Sequence, residues 1–495
     1  MITNKLKKLF YFPIASYFKF FAQIRLTRWK PRIIVVTGSS GKTTLLHLIE
    51  SQLQNKARYS HFANSSYGIP FDILGLRRKN LTLDEWPYLF LAAPFKAFKK
   101  TPKEKLYIVE ADCDRPYEGK FLANSLRPEI TLWTNVSRTH TANFDYLVKK
   151  NECHCEEERR SNLTRKRLPH QSADWFAMTK NRKRKTTFKV EEAIAHEFGY
   201  FLEETKSLAI INSDTKLIKQ QLTRSKASVK SVTQKGLTAY NVFKDHTEFK
   251  INGEIYSINA LLPKESSLSI QMTLILLDYL KIKPDNSFSK FSLPPGRCSL
   301  FKGIKNITII DSSYNATPDG VKSILEMFNL YPSNKKWLVL GDMIELGNEE
   351  QEEHEKLADV INSIKLNKII LVGPRLSKYT YPRLKEQGLR IYSSSDQAKP
   401  ESREVLSENS SRQDGYRTVT RQARTIRNPV TEKFIMPKDA LDYLGKNLQG
   451  GETILFKGAR FLEGIIEHLL LNKYDINNLC RRELVWRERR KKWGI

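Results

Sequence analysis

The sequence predicts an α/β protein of two successive domains: a central P-loop domain with a mostly parallel sheet, followed by a second, Rossmann-like α/β domain. Three observations predict it. From Arg32 to about Asp145, short apolar runs alternate with helix-compatible segments, the signature of βαβ units. The first run breaks into "TGSSGKTT" (37–44), glycines and small hydroxyls between a strand and a helix. Beyond "SLPPGRCS" (292–299) comes a second series of apolar runs, "ITIIDSS", "WLVLGDM", "KIILVG", "RIYSS" and "TILFKG". The prolines before it mark a boundary, because they continue neither a helix nor a central strand.

In chain order, residues 1–30 form an arm in which Phe10, Tyr11, Phe12, Tyr17, Phe18, Phe20, Phe21 and Trp29 are interleaved with Lys and Arg. The mixture suits a helix lying in a membrane interface, and equally an amphipathic helix packed on the next domain. No small-residue cleavage site follows an unbroken apolar core, so a cleaved signal is not expected. No apolar stretch reaches the roughly 18 to 20 residues of a spanning helix.

The central domain, 31–297, has strand candidates at Ile33–Val36, Leu106–Val109, Ile130–Trp133 and Leu208–Ile211. The first three end in Thr37-Gly38, Glu110 and Thr134-Asn135, at the strand carboxyl ends where open α/β sheets carry their sites. Periodicity collapses into dense charge at about 149–189, read as an insertion, and again at about 394–429 inside the second domain, 298–475. Both are expected to be mobile surface excursions. Residues 476–495 close the chain as a basic, Trp-bearing tail.

The 495 residues carry 83 Lys+Arg against 54 Asp+Glu, a net charge of +29, which favours nucleic acid, anionic lipid or phosphorylated substrates as neighbours. Much of that charge sits in the insertions and tails, and no aromatic-basic nucleic-acid motif appears, so no specific nucleic-acid partner is expected. The cysteines, Cys113, Cys153, Cys155, Cys298 and Cys480, are odd in number and form no repeated CxxC pair. That pattern suits a reducing cytoplasm and argues against a disulfide framework or structural zinc.

A phosphate-binding loop needs glycines where backbone approaches an anion, successive N–H groups at a helix N-terminus, a lysine for phosphate charge and a hydroxyl for magnesium. Gly38, Ser39, Ser40, Gly41, Lys42, Thr43 and Thr44 supply them in a loop shorter than the usual G-x4-GK[ST], since Val36 stands where that pattern has glycine. Magnesium takes hard oxygen ligands and one or two carboxylates near bound phosphates. Glu110, at the tip of the second strand candidate, is the expected carboxylate beside Thr43. His140, beyond the third strand end with Asn135, is read as a metal or phosphate ligand as readily as a capping residue.

Further strings follow: "ANSSYGIP" (63–70), "VEADCDRPYEGKFLANSLRPEITLWTNVSRTH" (109–140), "IIDSSYNATPDGVKS" (309–323), "LVLGDMIELG" (338–347) with His354 after it, and "ETILFKGAR" (452–460). In this order, over about 31–475, the chain resembles the Mur ligase family, and its GDM-x-ELG and D-x-SYNA-x-P strings mark one branch of it. The resemblance implies an ATP- and Mg2+-dependent amide-bond ligase of peptidoglycan precursor synthesis, which activates a substrate carboxylate as an acyl phosphate and joins it to an amino acid or D-alanyl-D-alanine. It implies catalytic roles for Lys42, Glu110, Asn135 and His140, with metal on Thr43, Glu110 and His140. It also implies a nucleotide strip at Arg297, Asp311, Tyr314 and Asn315, and a substrate-carboxylate site at Lys457 and Arg460.

The sequence departs from that family in three places. Only about thirty residues precede the loop, where the family has a UDP-gripping domain. This leaves a small-molecule or a lipid-linked cell-wall precursor as partner, with cytoplasmic location and peripheral membrane contact through residues 1–30. The lysine that relatives carbamylate falls at His196 or Phe198. "LPKESSLSIQ" (262–271) lacks the expected His-Asn-x-x-Asn, and Ser312 and Thr317 stand where Asp and Asn are usual. A polyglutamate-type acceptor and a degenerate membrane-associated nucleotide binder are the alternatives these departures keep open.

Overall fold

The computed structural model describes residues 10–61, 63–79, 82–147, 189–388, 429–458 and 461–495. The two segments read as insertions lie, but for their last residues, outside the described residues. So do the "RIYSS" strand candidate and Arg460.

The first sheet has six strands: β1 (Arg32–Thr37), β2 (Ala57–Tyr59), β3 (Leu106–Ala111), β4 (Ile130–Trp133), β5 (Leu208–Asn212) and β6 (Ser228–Val232). All pair in parallel, in the order β2-β3-β1-β4-β5-β6. β1 reads as a continuous apolar run because both of its faces are covered. Ile33 and Val35 enter one core and Ile34 and Val36 the other. The first face is covered by α1 (Tyr11–Trp29), α3 (Gly68–Leu74), α4 (Glu85–Phe98), α5 (Glu118–Leu126), α6 (Val190–Glu204) and α7 (Lys216–Gln221), the second by α2 (Lys42–Leu53) and α8 (Ser266–Tyr279).

The arm therefore resolves toward the packed-helix reading. Phe18, Ala22, Leu26 and Trp29 of α1 are buried; the Tyr17 hydroxyl donates to the Phe90 carbonyl at 2.8 Å and Trp29 Nε1 to the Glu104 carbonyl at 2.7 Å. Of its eight rings only Phe10 and Phe20 are exposed. The apolar face that does meet solvent belongs to α4, where Tyr88, Leu91, Phe95 and Phe98 point outward.

The second sheet orders β10 (Ser299–Lys302), β11 (Thr308–Ser312), β15 (Thr453–Lys457), β12 (Lys336–Gly341), β13 (Lys368–Val372) and β14 (Val430–Phe434), parallel except for the antiparallel edge pair β10–β11. α9 (Pro318–Leu330), α10 (Glu350–Asn362) and α11 (Tyr381–Glu386) cover one face, α12 (Pro437–Asn447) and α13 (Leu462–Leu469) the other. Thr317 caps α9, its hydroxyl accepting from the Gly320 N–H at 3.3 Å with Pro318 in the first turn, so the threonine in this string starts a helix well. The basic tail is ordered as well. Its helix α14 (Leu484–Lys491) turns Arg490 toward the buried Glu463 carboxylate, 3.5 Å away, and Arg481 approaches the same carboxylate at 3.4 Å.

A three-stranded antiparallel meander, β7 (Leu237–Val242), β8 (Thr247–Ile251) and β9 (Glu254–Ile258), is not among the sequence expectations. Its signal is the Asn252-Gly253 turn, with φ of 51° and 91°, a hairpin dipeptide between alternating strands.

Candidate active site

β1 ends in a turn that only glycine follows easily: Gly38 has φ +125° and Gly41 φ +77°. A Cβ on Gly38 would lie 2.3 Å from Thr134 Oγ1 and 2.9 Å from the Asn135 amide nitrogen, so the loop runs directly against the end of β4. Gly38→Ala should cost about 2–4 kcal/mol and remove nucleotide binding; an alanine variant that melts and titrates with ATP like the native chain would contradict this.

The two serines are clamped from the same side. The Ser39 N–H donates to the Asn135 carbonyl at 3.1 Å, the Ser40 N–H donates to Asn135 Oδ1 at 2.8 Å, and Asn135 Nδ2 donates to Ser40 Oγ at 2.5 Å. Asn135 thus braces the loop through its backbone and its side chain, which makes it a positioning residue for the backbone that would meet phosphate. Thr44 sits half-buried in the first turn of α2.

Lys42 begins α2 and is buried. Its ammonium donates to the Gly38 carbonyl at 2.6 Å and pairs with Asp112 Oδ2 at 2.8 Å. Burial opposes the charge, but the carboxylates of Asp112, Glu110 and Asp114 outweigh it and hold the lysine above its ordinary value. One residue on, the Thr43 hydroxyl donates to Glu110 Oε2 at 2.9 Å. A hydroxyl and a carboxylate side by side at a phosphate loop are a hard-oxygen pair that fits Mg2+.

His140 stands with different partners. Asp112, Asp114 and His140 place one ligating atom each within 4.8 Å of one another. His140 Nε2 lies 3.2 Å from Asp114 Oδ1, while Nδ1 lies 2.7 Å from Glu345 Oε2, a carboxylate from the second sheet's side. One ring nitrogen on a carboxylate and the other turned to a ligand group is the arrangement of many metal-bound histidines. Burial and neighbouring Asp112 push Asp114 up to about 7. Burial works against charge on His140 too, but Glu345 and Asp114 carry it up to about 9. Two crowded acids and an imidazole are a donor set that fits a divalent cation. Asp112 and Asp114 are absent from the sequence expectations; their signal is the spacing of acids at every second position after Glu110 in "VEADCD".

The two expected stand-ins for the carbamylated lysine, His196 and Phe198, lie on the helix α6. Phe198 is core, packed on Trp133, and His196 lies edge-on to Tyr200. Between them Glu197 turns inward and accepts from the N–H groups of Tyr117 at 2.8 Å and Gly119 at 3.0 Å, at the start of α5. In "LPKESSLSIQ", Ser267 and Gln271 bond Gln234 and the Thr233 carbonyl, both at 3.0 Å.

The second-sheet residues gather in one strip. Arg297 lies over the Tyr314 ring at 4.4 Å, the Tyr314 N–H donates to the Gly296 carbonyl at 3.1 Å, and Lys457 Nζ donates to the Asn315 carbonyl at 2.9 Å. Arg481 of the tail also reaches Tyr314, donating to its carbonyl. Lys457 is buried, and burial pushes it down to about 8.

Asp311 is fully buried; Oδ1 accepts from the Ser313 N–H at 2.9 Å and Oδ2 has no hydrogen-bond partner. Burial raises it from 3.8 to about 6. The folded state therefore holds this proton more tightly than the unfolded chain. The associated stability, on the order of 3 kcal/mol, is present below pH 4 and is lost as pH rises through about 6. Asp311→Asn should flatten that part of the stability–pH curve in urea titrations between pH 4 and 7; an unchanged slope would show that Asp311 does not titrate there.

The loop after β4 meets the "GDMIELGNEE" segment through polar contacts. Arg138 reaches Glu191 at 2.6 Å and both Glu349 and Glu353 at 2.8 Å. The Thr141 hydroxyl donates to the Leu346 carbonyl at 2.6 Å, and the Asn348 N–H to Asp145 Oδ2 at 3.0 Å. Gly347, at φ +55°, has no room for a side chain because Asp145 Oδ2 lies 2.2 Å from where its Cβ would be.

Residues 36–149 match the family model of the Mur ligase middle domain, and residues 296–460 that of the Mur ligase glutamate ligase domain. Similar curated proteins include UDP-N-acetylmuramoyl-tripeptide–D-alanyl-D-alanine ligases. That of Rickettsia prowazekii is 25% identical over 360 residues, covering 72% of this chain and 68% of the relative. That of Escherichia coli is 22% identical over 362 residues, covering 69% and 64%. The chain thus spans about two thirds of these relatives' length. Among solved structures, the MurF ligase of Thermotoga maritima in complex with ADP superposes with a TM-score of 0.61 at 18% identity, over 92% of this chain and 83% of that one. MurF of Acinetobacter baumannii gives 0.60 at 14%, over 90% and 78%.

Proposed function

The chain belongs to the Mur ligase family, and from that premise we propose that it is an ATP-dependent amide-bond ligase of peptidoglycan precursor synthesis, acting in the cytoplasm. The observation that carries the reading is the convergence of Lys42, the Thr43–Glu110 pair and the Asp112–Asp114–His140 group at the carboxyl ends of β1, β3 and β4. A lysine and two cation-binding groups around a phosphate loop suit phosphoryl transfer, in which the protein chiefly positions reactants and neutralises charge.

In this reading the loop N–H groups and Lys42 hold the ATP phosphates. Thr43 and Glu110, with the Asp112–Asp114–His140 group as a second position, would hold magnesium, which when bound would supply charge neutralisation. An oxygen of the acceptor carboxylate attacks the γ-phosphorus as the bond to ADP breaks. The incoming amine nitrogen then attacks the acyl carbon, phosphate leaves, and the amine gives up a proton. Arg138 and the contacts around Glu345 and Leu346 hold the two sheets' loops together, which keeps water from the acyl phosphate. Lys457, buried with a carbonyl partner and pushed down by burial, would regain charge stabilisation from a ligand carboxylate, supporting its place at the incoming amino acid or D-alanyl-D-alanine. Arg297, Asp311, Tyr314 and Asn315 would meet the nucleotide from the second sheet.

The acceptor is a muramyl peptide carboxylate on a small-molecule carrier or, in a second reading, on a lipid. The outward apolar face of α4 favours the second. The test is ATP-dependent joining of D-alanyl-D-alanine to UDP-linked and to lipid-linked muramyl tripeptide, followed by mass spectrometry. A new amide mass, with phosphate release that needs both acceptor and amine, is the expected result. ATP consumption indifferent to the amine, with no new amide on either carrier, would overturn the reading.

A further inference from the structure

We propose that the outer face of α4 docks this protein on a membrane surface rich in anionic lipid. Tyr88, Leu91, Phe95 and Phe98 are between 61% and 75% exposed. At 100° per residue their 3-4-3 spacing confines them to an arc of about 80°. The opposite side of the same helix, at Leu89, Ala93 and Ala97, is completely buried. The helix is thus apolar on both sides. One side is satisfied by the core and the other by nothing within the described chain. No other described helix exposes more than one large apolar side chain, so this is a contiguous patch and not the ordinary scatter of surface apolar groups.

The neighbouring α1 anchors this face: Arg25 Nη1 donates to the Lys96 carbonyl at 2.5 Å and Arg28 Nη1 to the Ala97 carbonyl at 2.8 Å. The face is therefore presented by a rigid helix pair.

Charge selects the partner. At the carboxyl end of α4 the exposed cations Arg28, Lys30, Lys99, Lys100, Lys103 and Lys105 face a single acid, Glu104, within residues 28–30 and 99–105. Arg28 lies over the Phe98 ring at 5.9 Å, so cation and apolar surface are contiguous. Large rings and aliphatic groups on one face of an in-plane helix, with Lys and Arg beside them, complement the acyl boundary and the anionic headgroups above it. No described helix is long and apolar enough to cross a membrane, so the contact is one of lying on the surface.

The inference stands apart from the ligase reading, because it is read by binding alone. The full chain is floated with vesicles of neutral phosphatidylcholine and with vesicles carrying about one third phosphatidylglycerol, at low and high salt. Co-flotation with the anionic vesicles, weakened by salt, is expected, with little on neutral ones. Leu91→Glu combined with Phe95→Glu should lower it at least tenfold, while Leu330→Glu, an exposed leucine of α9, should leave it unchanged; melting curves establish that all variants fold. Absence of flotation with anionic vesicles, or flotation untouched by the double change, overturns the proposal. Self-association in sedimentation, abolished by Leu91→Glu and Phe95→Glu without vesicle binding, would assign the face to a second copy of the chain instead.

Discussion

Lys42→Ala should lower ATP-dependent ligation by about a thousandfold, the scale of losing a preorganised charge at a developing phosphate anion. The same substitution does something else that could be mistaken for catalysis. Lys42 neutralises Asp112 at 2.8 Å, both side chains nearly inaccessible, and removing one member of a buried pair costs on the order of 3–5 kcal/mol. Set beside Asp112→Asn alone, which accounts for the carboxylate's own part in the cation-binding group, the double variant Lys42→Ala, Asp112→Asn removes the orphaned charge and separates the two effects. Its melting temperature should recover while phosphate release stays absent. If activity returned together with stability, Lys42 would be a structural partner of Asp112 and not a phosphate ligand.

Arg138→Ala should cut turnover by about ten- to a hundredfold while ATP affinity stays within a few-fold. Arg138 touches Glu191 on its own side and Glu349 and Glu353 at the start of the second sheet's α10. Without it three carboxylates face one another across the contact between the two sheets' loops. The side chain is about a quarter exposed, so solvent screens part of the repulsion and the stability cost is small, about 1 kcal/mol. The main effect is on how often the two halves close. Lysine is not expected to rescue, since a single ammonium cannot fork to several carboxylates as guanidinium does. Stopped-flow nucleotide binding and steady-state turnover check this; turnover like the native chain's would remove Arg138 from the closing contact.

How much was legible in the sequence depended on whether a signal was local. β1, β3, β4 and β5 were readable because strands buried on both faces are continuous apolar runs, and the loop because phosphate-binding geometry demands glycines at specified places. The antiparallel meander is marked along the chain by its Asn252-Gly253 turn. Asp112 and Asp114 carry no local signal of function beyond their spacing, because an acid just beyond a strand looks like a solvated end until His140 is folded onto it. The arm supported two readings for the same reason: one amphipathic pattern serves lipid and protein alike.

By itself the sequence determined the βαβ architecture, the order of the two sheets, the loop at the end of the first strand and the family to which the chain belongs. Each is written in residues close together along the chain. Tertiary structure alone decided that His140 pairs with Asp114 and Glu345, that Asn135 braces the loop, that Arg138 bridges the two halves, and that α4 and not the arm carries the exposed apolar face. Those outcomes depend on contacts between residues distant along the chain, and which side of a helix meets solvent is settled by what packs against the other.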